Sequence, residues 1–209
     1  MANNKSNGVS WRWLRWLGLA LLLDGCTGLR PAVENGNTYV LEARPIVKNV
    51  RDRRNIVLEV SAPRASPGFE TAQMVYVQRA YELDYFAANR WADTPSRMLG
   101  PILAQALEQS GSFSAVVQAP SIVPADVRVV SELVRLQQNF EMHPSRIEFA
   151  LRVQAIDVRS KRLLATRLFE ATESAQSDDP YGGVTAANVA LQRILEQVVD
   201  FCIAESVKS

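Results

Sequence analysis

Cys26 is the residue of this sequence whose type and position offer the clearest chemistry. It follows an apolar run of seven residues, 17–23, and a small residue, Gly25. The segment ahead of that run is basic and has no acidic residue, its charged members being Lys5, Arg12 and Arg15. This order is typical of a signal peptide, and seven residues are far fewer than the roughly 20 that span a bilayer as a helix. We therefore predict cleavage between Gly25 and Cys26, which leaves the Cys26 thiol at the start of the mature chain.

The four residues Leu23-Asp24-Gly25-Cys26 resemble the lipobox of bacterial lipoproteins, a Leu-x-small-Cys pattern. Asp24 departs from the pattern, which normally has a small or uncharged residue at this position. A carboxylate close to a membrane is also costly in free energy. The resemblance implies acylation of Cys26. Because Thr27 and not Asp follows the cysteine, it also implies the periplasmic face of the outer membrane. An uncleaved anchor and an ordinary secretory signal are the alternatives.

The charge balance argues against a polyanionic partner. The chain has 23 Lys and Arg residues and 22 Asp and Glu residues. Removal of residues 1–25 takes away three basic residues and one acidic residue, which leaves 20 against 21 and a net charge of −1. Since no basic field remains to attract nucleic acid, we expect none as a partner. The remaining length suits one domain with its own hydrophobic core.

The sequence divides into a lipoprotein signal peptide at residues 1–25, a lipidated tether at 26–37 and one domain at 38–205. The tether contains Gly, Pro and Asn and shows no periodicity. Its residues after the cysteine reach at most about 35–40 Å when fully extended. The domain must therefore work close to the membrane that holds its lipid.

The first half of the domain is predicted to form strands and then one helix. Apolar runs indicate three strands, at residues 39–43, 56–60 and 74–77. Thr94 and Pro95 are the residue types found at an N-cap and a first helical turn, and Gly111 is expected to end the helix. Residues 100–101, Gly-Pro, are expected to kink this helix or to delay its start.

The second half is predicted to form a short strand, an antiparallel meander and a last helix. The strands are expected at residues 113–117, 127–140, 147–155 and 163–171. The helix begins near Gly183 and buries one stripe, formed by Ala187, Leu191, Ile194, Leu195, Val198 and Cys202. The predicted fold is α+β, with one antiparallel or mixed sheet and two helices packed on one of its faces. The other face stays polar or meets a partner.

Catalytic and metal chemistry find little support in the sequence. His143 is the only histidine, and it precedes a proline at an expected turn, so histidine triads and histidine metal sites are not expected. Residues 177–183 are compatible with a cation site made of oxygen ligands or with a loop that caps the next helix. Cys202 is expected to be a buried structural thiol. We expect no enzymatic activity, no metal, and no cofactor apart from the lipid on Cys26.

Four aromatic residues lie close together in the sequence of the mature chain, and two interpretations of them stay open. They are Tyr81, Tyr85, Phe86 and Trp91. They can form a small satellite core beneath a loop. They can also form a surface that binds a partner, because aromatic side chains are favoured anchors at interfaces.

Residues 81–95, 178–184 and 186–188 carry a family resemblance. They read Tyr-Glu-Leu-Asp-Tyr-Phe-Ala-Ala-Asn-Arg-Trp-Ala-Asp-Thr-Pro, Asp-Asp-Pro-Tyr-Gly-Gly-Val and Ala-Ala-Asn. With the lipobox, they resemble the ABC-type transport auxiliary lipoprotein family over residues 38–203. The resemblance implies an α+β domain similar to the N-terminal domain of TolB. It also implies a docking subunit at the outer membrane that partners an MCE-domain protein of a lipid transport system and contributes to membrane integrity.

Two other classes of function remain open at this point. The domain can be a carrier that binds a lipid chain itself, or a lipoprotein that activates a cell-wall enzyme. A homo-oligomer is also compatible with the sequence. In each case the acyl chains on Cys26 attach the protein to the membrane.

Overall fold

The computed structural model describes residues 36–44 and 53–206. Within these residues the chain forms two helices and a single nine-stranded mixed sheet. The strands are β1 Thr38–Tyr39, β2 Arg54–Val60, β3 Arg64–Ala65, β4 Gln73–Val77, β5 Asp84–Trp91, β6 Phe113–Gln118, β7 Val127–Asn139, β8 Arg146–Asp157 and β9 Leu163–Ser174. The helices are α1 Pro95–Gln109, between β5 and β6, and α2 Pro180–Glu205, after β9.

Strands β7, β8 and β9 form the predicted antiparallel meander. Asn139 of β7 lies opposite Arg146 of β8, which lies opposite Ser174 of β9. At the other end of the meander, Arg128 lies opposite Ile156, and Ile156 lies opposite Leu163. Alternating apolar residues allow each of these long strands to bury one face, so this part of the prediction is confirmed.

The second edge of β7 is divided among shorter strands that run parallel to it. The start of β7 pairs with β2, the middle with β3 and the end with β4, where Val77 lies opposite Asn139. Strand β6 lies outside β2, and β5 lies outside β4 with β1 beyond it. The sequence indicated most of these strands but not their parallel partners.

The hydrophobic core lies between one face of the sheet and the two helices, as predicted. Its largest fully buried side chains include Leu99, Leu103 and Leu107 of α1, Leu191, Ile194 and Leu195 of α2, and Leu133, Phe149 and Leu151 of the sheet. Removing a side chain of this size from water stabilises the fold by about 1.5–3 kcal/mol. Both apolar stripes are therefore used within the domain, and the α+β architecture is confirmed.

One local expectation is corrected. Of the first predicted strand, residues 39–43, only Tyr39 joins the sheet, together with Thr38 before it, because the chain then turns onto helix α2. Helix α1 begins at Pro95, so Pro101 does not delay its start; the helix continues through Pro101, which removes one backbone hydrogen bond inside it. The segment beginning at Tyr81, for which the sequence gave no prediction of helix or strand, leads into β5 at Asp84.

In the described part of the chain, neither helix is both long and apolar enough to cross a bilayer. The predicted cleavage site at Gly25, the predicted acylation site Cys26 and most of the tether lie outside the described residues.

Candidate functional site

The four aromatic residues that lie close together in the sequence occupy four different environments. Tyr81 is fully exposed, with a relative exposure of 108%, and it takes a positive φ of 69° in the turn between β4 and β5. Tyr85 is partly exposed, and its hydroxyl donates to the carbonyl of Gly68 at 3.4 Å. Trp91 is only 3% exposed and belongs to the main core. Including Trp91 in an accessible partner surface was therefore wrong.

Phe86 packs against the main core and belongs to a small aromatic cluster on the helix side of the sheet, where Tyr76 lies opposite Gln138. Its ring centroid lies 4.6 Å from that of Tyr76 and 6.4 Å from that of Phe140. The Tyr76 and Phe140 centroids are 6.0 Å apart with nearly perpendicular rings. Such pairs contribute about 0.5–1.5 kcal/mol each beyond the area they bury. The satellite-core interpretation is thus correct for Phe86, although its two partners come from residues that sequence analysis did not group with it.

A polar groove of about 350 Å³ lies on the other face of the sheet, between the turn that carries Tyr81 and the end of β7. Glu148 on its floor accepts from Gln137 Nε2 at 3.0 Å and from Asn139 Nδ2 at 2.9 Å. Arg135 also pairs with Glu148 at 3.7 Å. Because both carboxylate oxygens already have donors, the groove floor is an internally satisfied polar network.

The loop at residues 177–183, for which a cation site was one interpretation, caps helix α2 and is hydrogen-bonded to the β7–β8 hairpin. Asp179 is the N-cap of α2, and its side chain accepts from the backbone N–H of Gly182 at 2.7 Å. Asp178 accepts from the backbone N–H of Ser145 at 2.6 Å and lies 2.8 Å from His143 Nδ1. These hydrogen bonds, with Ser145 making the largest contribution, lower the pKa of Asp178 from its ordinary 3.8 to about 2.

The glycines after this cap allow a close approach between α2 and β7. A Cβ on Gly183 would stand 2.2 Å from Oε1 of Gln138, which is 1% exposed. Gln138 Nε2 in turn donates to Ser145 Oγ at 2.9 Å and to the Asp179 carbonyl at 3.1 Å. The first turn of α2, the β7–β8 hairpin and Gln138 thus form one packed unit, which we call the α2 joint.

The two remaining single residues are not arranged for catalysis. His143 lies at the hairpin tip with its side chain 75% exposed. Cys202 is buried, as predicted, and burial raises the pKa of its thiol to about 12. Among residues 36–44 and 53–206, no group of three or more His, Cys, Asp or Glu side chains is placed to hold a metal ion.

Helix α2 also holds the N-terminal segment of the domain. Asn188 Oδ1 accepts from the backbone N–H of Glu42 at 2.8 Å, and Gln192 Oε1 accepts from that of Arg44 at 2.9 Å. Residues four apart lie on one face of a helix, so the two amides receive one extended stretch of backbone. Asn188 is part of the family pattern in the sequence, and the structure gives it this role.

Comparison with solved structures defines the class of fold. A protein from Xanthomonas campestris assigned to the DUF330 family is 18% identical, with a TM-score of 0.76 over 82% of this chain and 97% of that chain. A second uncharacterized protein is 14% identical, with a TM-score of 0.63 over 80% and 98%. A hypothetical protein from Chlamydia trachomatis is 11% identical, with a TM-score of 0.53 over 75% and 100%. At these identities the likeness shows a shared fold.

The sequence itself then identifies the family. The family described as ABC-type transport auxiliary lipoprotein component matches residues 39–199, nearly the whole described domain. The chain belongs to this family, which confirms the resemblance found in the sequence. A search of curated proteins finds no match.

Proposed function

We propose that this protein is a non-enzymatic docking subunit of an MCE-type ABC lipid transport system. In this proposal the chain is anchored through acylated Cys26 to the periplasmic face of the outer membrane, and its activity contributes to membrane integrity. The observation that carries the proposal is the family match over residues 39–199. The lipobox-like sequence that ends at Cys26 supports the anchor.

Packing favours a docking role over a lipid carrier. A carrier needs an apolar space for an acyl chain, and the two helices are the elements that would have to line it. Their apolar stripes are instead in contact with the sheet, and Leu191, Ile194 and Leu195 have no exposed surface. Opening that contact to admit a lipid would expose several fully buried side chains, each at a cost of about 1.5–3 kcal/mol.

The polar chemistry of the domain favours the same role. The Asp178–His143 pair braces a hairpin, and Glu148 is satisfied by neighbouring donors. Both carboxylates are therefore held by neighbouring groups and are not arranged as a free general base.

The anchor is tested by metabolic labelling with a clickable fatty acid, followed by membrane fractionation. Wild type is expected to incorporate label and to sediment with the outer membrane. A Cys26→Ser variant is expected to lose the label and either to leave the membrane fraction or to remain unprocessed. Labelling of Cys26→Ser at the wild-type level would contradict acylation at this residue.

The physiological role is tested by deleting the gene and measuring the resistance of cells to detergents that the outer membrane normally excludes. We expect resistance to fall on deletion and to return with wild type but not with Cys26→Ser produced at equal abundance. Full rescue by Cys26→Ser would show that the anchor is dispensable for the function.

A further inference from the structure

The described chain begins beside β5, and its direction there shows from which side the tether arrives. Thr38 pairs in parallel with Arg90, and Asn37 accepts a backbone hydrogen bond from Arg90 at 3.0 Å. Gly36 lies so close to β5 that a Cβ on it would stand 1.8 Å from the carbonyl oxygen of Ala88. Since β1 and β5 run in the same direction, the chain enters from the end of the sheet at which β5 begins.

That end of the sheet is formed by the β4–β5 turn, the β7–β8 hairpin and the β9–α2 loop, and we call it the Tyr81 end. Its apolar side chains project into solvent: Tyr81 is fully exposed, Leu83 is 42% exposed, Met142 57% and Tyr181 67%. Tyr181 lies in the first turn of α2. The described chain therefore starts on the side of the domain at which these exposed apolar side chains lie.

The turn and the hairpin of the Tyr81 end are held side by side. The backbone N–H of Phe140 donates to the carbonyl of Val77 at 2.8 Å, where the two loops begin. The Tyr76–Phe86–Phe140 cluster packs beneath them. The turn and the hairpin that carry the exposed side chains are consequently held in place by this hydrogen bond and by the aromatic cluster.

We propose that the Tyr81 end rests on the lipid surface of the membrane in which Cys26 is anchored. The proposal depends on the proposed acylation of Cys26. Cys26 and Gly36 are ten positions apart in the sequence and therefore at most about 35 Å apart in space. Because the described chain starts on the side of the Tyr81 end, this is the end that we place nearest to the anchor. Tyrosine rings suit the headgroup region because one edge is apolar and the other polar.

Charge is uneven across this end. Arg79 and Glu82 in the turn form an exposed pair at 3.9 Å, so the turn itself carries no net charge. The hairpin and the β9–α2 loop add the carboxylates of Glu141, Asp178 and Asp179, so the proposed contact depends on the apolar side chains and not on charge. The opposite end, near Leu163, lies eleven residues away along β7, or roughly 35 Å at strand spacing. A contact confined to the headgroup region reaches only about 5–10 Å, so the two ends are distinguishable.

Tryptophan fluorescence on vesicles tests the orientation. In the chain from Cys26 onward the only native tryptophan is Trp91, which is buried and adds the same background to every variant. A Tyr81→Trp variant is compared with Leu163→Trp at the far end. Each chain is coupled through the Cys26 thiol to a maleimide lipid in vesicles of phosphatidylethanolamine, phosphatidylglycerol and brominated phosphatidylcholine. The buried Cys202, whose thiol pKa is about 12, is protected from this reaction.

The bromine atoms are expected to quench the fluorescence of the added tryptophan. The quenching at position 81 should be at least about twofold stronger than that at position 163. Equal quenching at both positions, stronger quenching at 163, or none at either would overturn the proposal. The proposal would also be overturned if the tryptophan at position 81 were shielded by an added MCE-domain protein and not by the vesicles. Tyr81 would then belong to a partner surface. Because the lipid is attached chemically in this experiment, its result does not depend on natural acylation. A failure of natural acylation would contradict the proposed function and not the orientation.

Discussion

The α2 joint and the β4–β5 turn both lie at one end of the sheet, but their side chains are used in opposite ways. In the joint, Asp178 contacts the β7–β8 hairpin and Gln138 contacts Ser145 and the Asp179 carbonyl, while the Asp179 side chain caps its own helix. In the turn, Tyr81 projects fully into solvent. Both regions fall within or beside the strings that carry the family resemblance. A family pattern thus combines residues that maintain the fold with residues that remain available for contact, and only the structure separates them.

The largest difference is expected inside the first string, between Trp91 and Tyr81. Trp91→Ala should lower the free energy of unfolding by about 3–5 kcal/mol, because it removes a large side chain from the core. Tyr81→Ala should change it by no more than about 0.5 kcal/mol, because the ring is exposed. Urea unfolding followed by circular dichroism measures both. Similar losses for the two variants would remove the distinction between core and surface in this string.

The next effect concerns the close approach in the α2 joint. Gly183→Ala should cost about 1–3 kcal/mol, because its Cβ would overlap the buried and hydrogen-bonded Gln138 amide. The matched controls are Gln138→Ala and the double variant. The double variant should lose less free energy of unfolding than the sum of the losses of the two single variants. Additive costs would mean that the two residues do not meet as described.

Asp178 makes the joint sensitive to acid. Its folded pKa of about 2 lies below the ordinary 3.8, so the carboxylate stabilises the folded state above about pH 4. This contribution is lost as the pH falls toward 2. In denaturant titrations at pH 5, 4, 3 and 2, wild type should therefore lose more stability on acidification than Asp178→Asn. Parallel pH profiles would show that the carboxylate has no preferential partner in the folded state.

The smallest effect is expected where α2 holds the N-terminal segment. Asn188→Ala removes one hydrogen bond of about 1 kcal/mol, which should speed hydrogen exchange of the Glu42 amide by about fivefold. Gln192→Ala is the matched control and should act on the Arg44 amide in the same way. Exchange that stays unchanged at both amides would mean that the segment is held by other contacts.

The sequence predicted the meander well because β7, β8 and β9 are long and because apolar and polar residues alternate in β8, as Ile147 and Phe149 show. It did not predict which strands lie beside β7, because an apolar period indicates a buried face and not a neighbour. The environment of Trp91 was missed for a similar reason: aromatic side chains suit both a core and an interface, and the fold decides between them. Only part of the α2 joint could be predicted from the sequence. Asp179 before Pro180 indicates a helix cap, whereas the contact between Gly183 and Gln138 joins residues that are 45 positions apart.

Capture of the protein that this lipoprotein contacts in intact cells tests the central claim most directly. Cells are treated with a membrane-permeable crosslinker, and proteins bound to the wild-type lipoprotein are identified by mass spectrometry, with Cys26→Ser as the unanchored control. The proposed function predicts that an MCE-domain protein is recovered with wild type and is reduced with Cys26→Ser. Recovery of cell-wall synthases without any MCE-domain protein would contradict it.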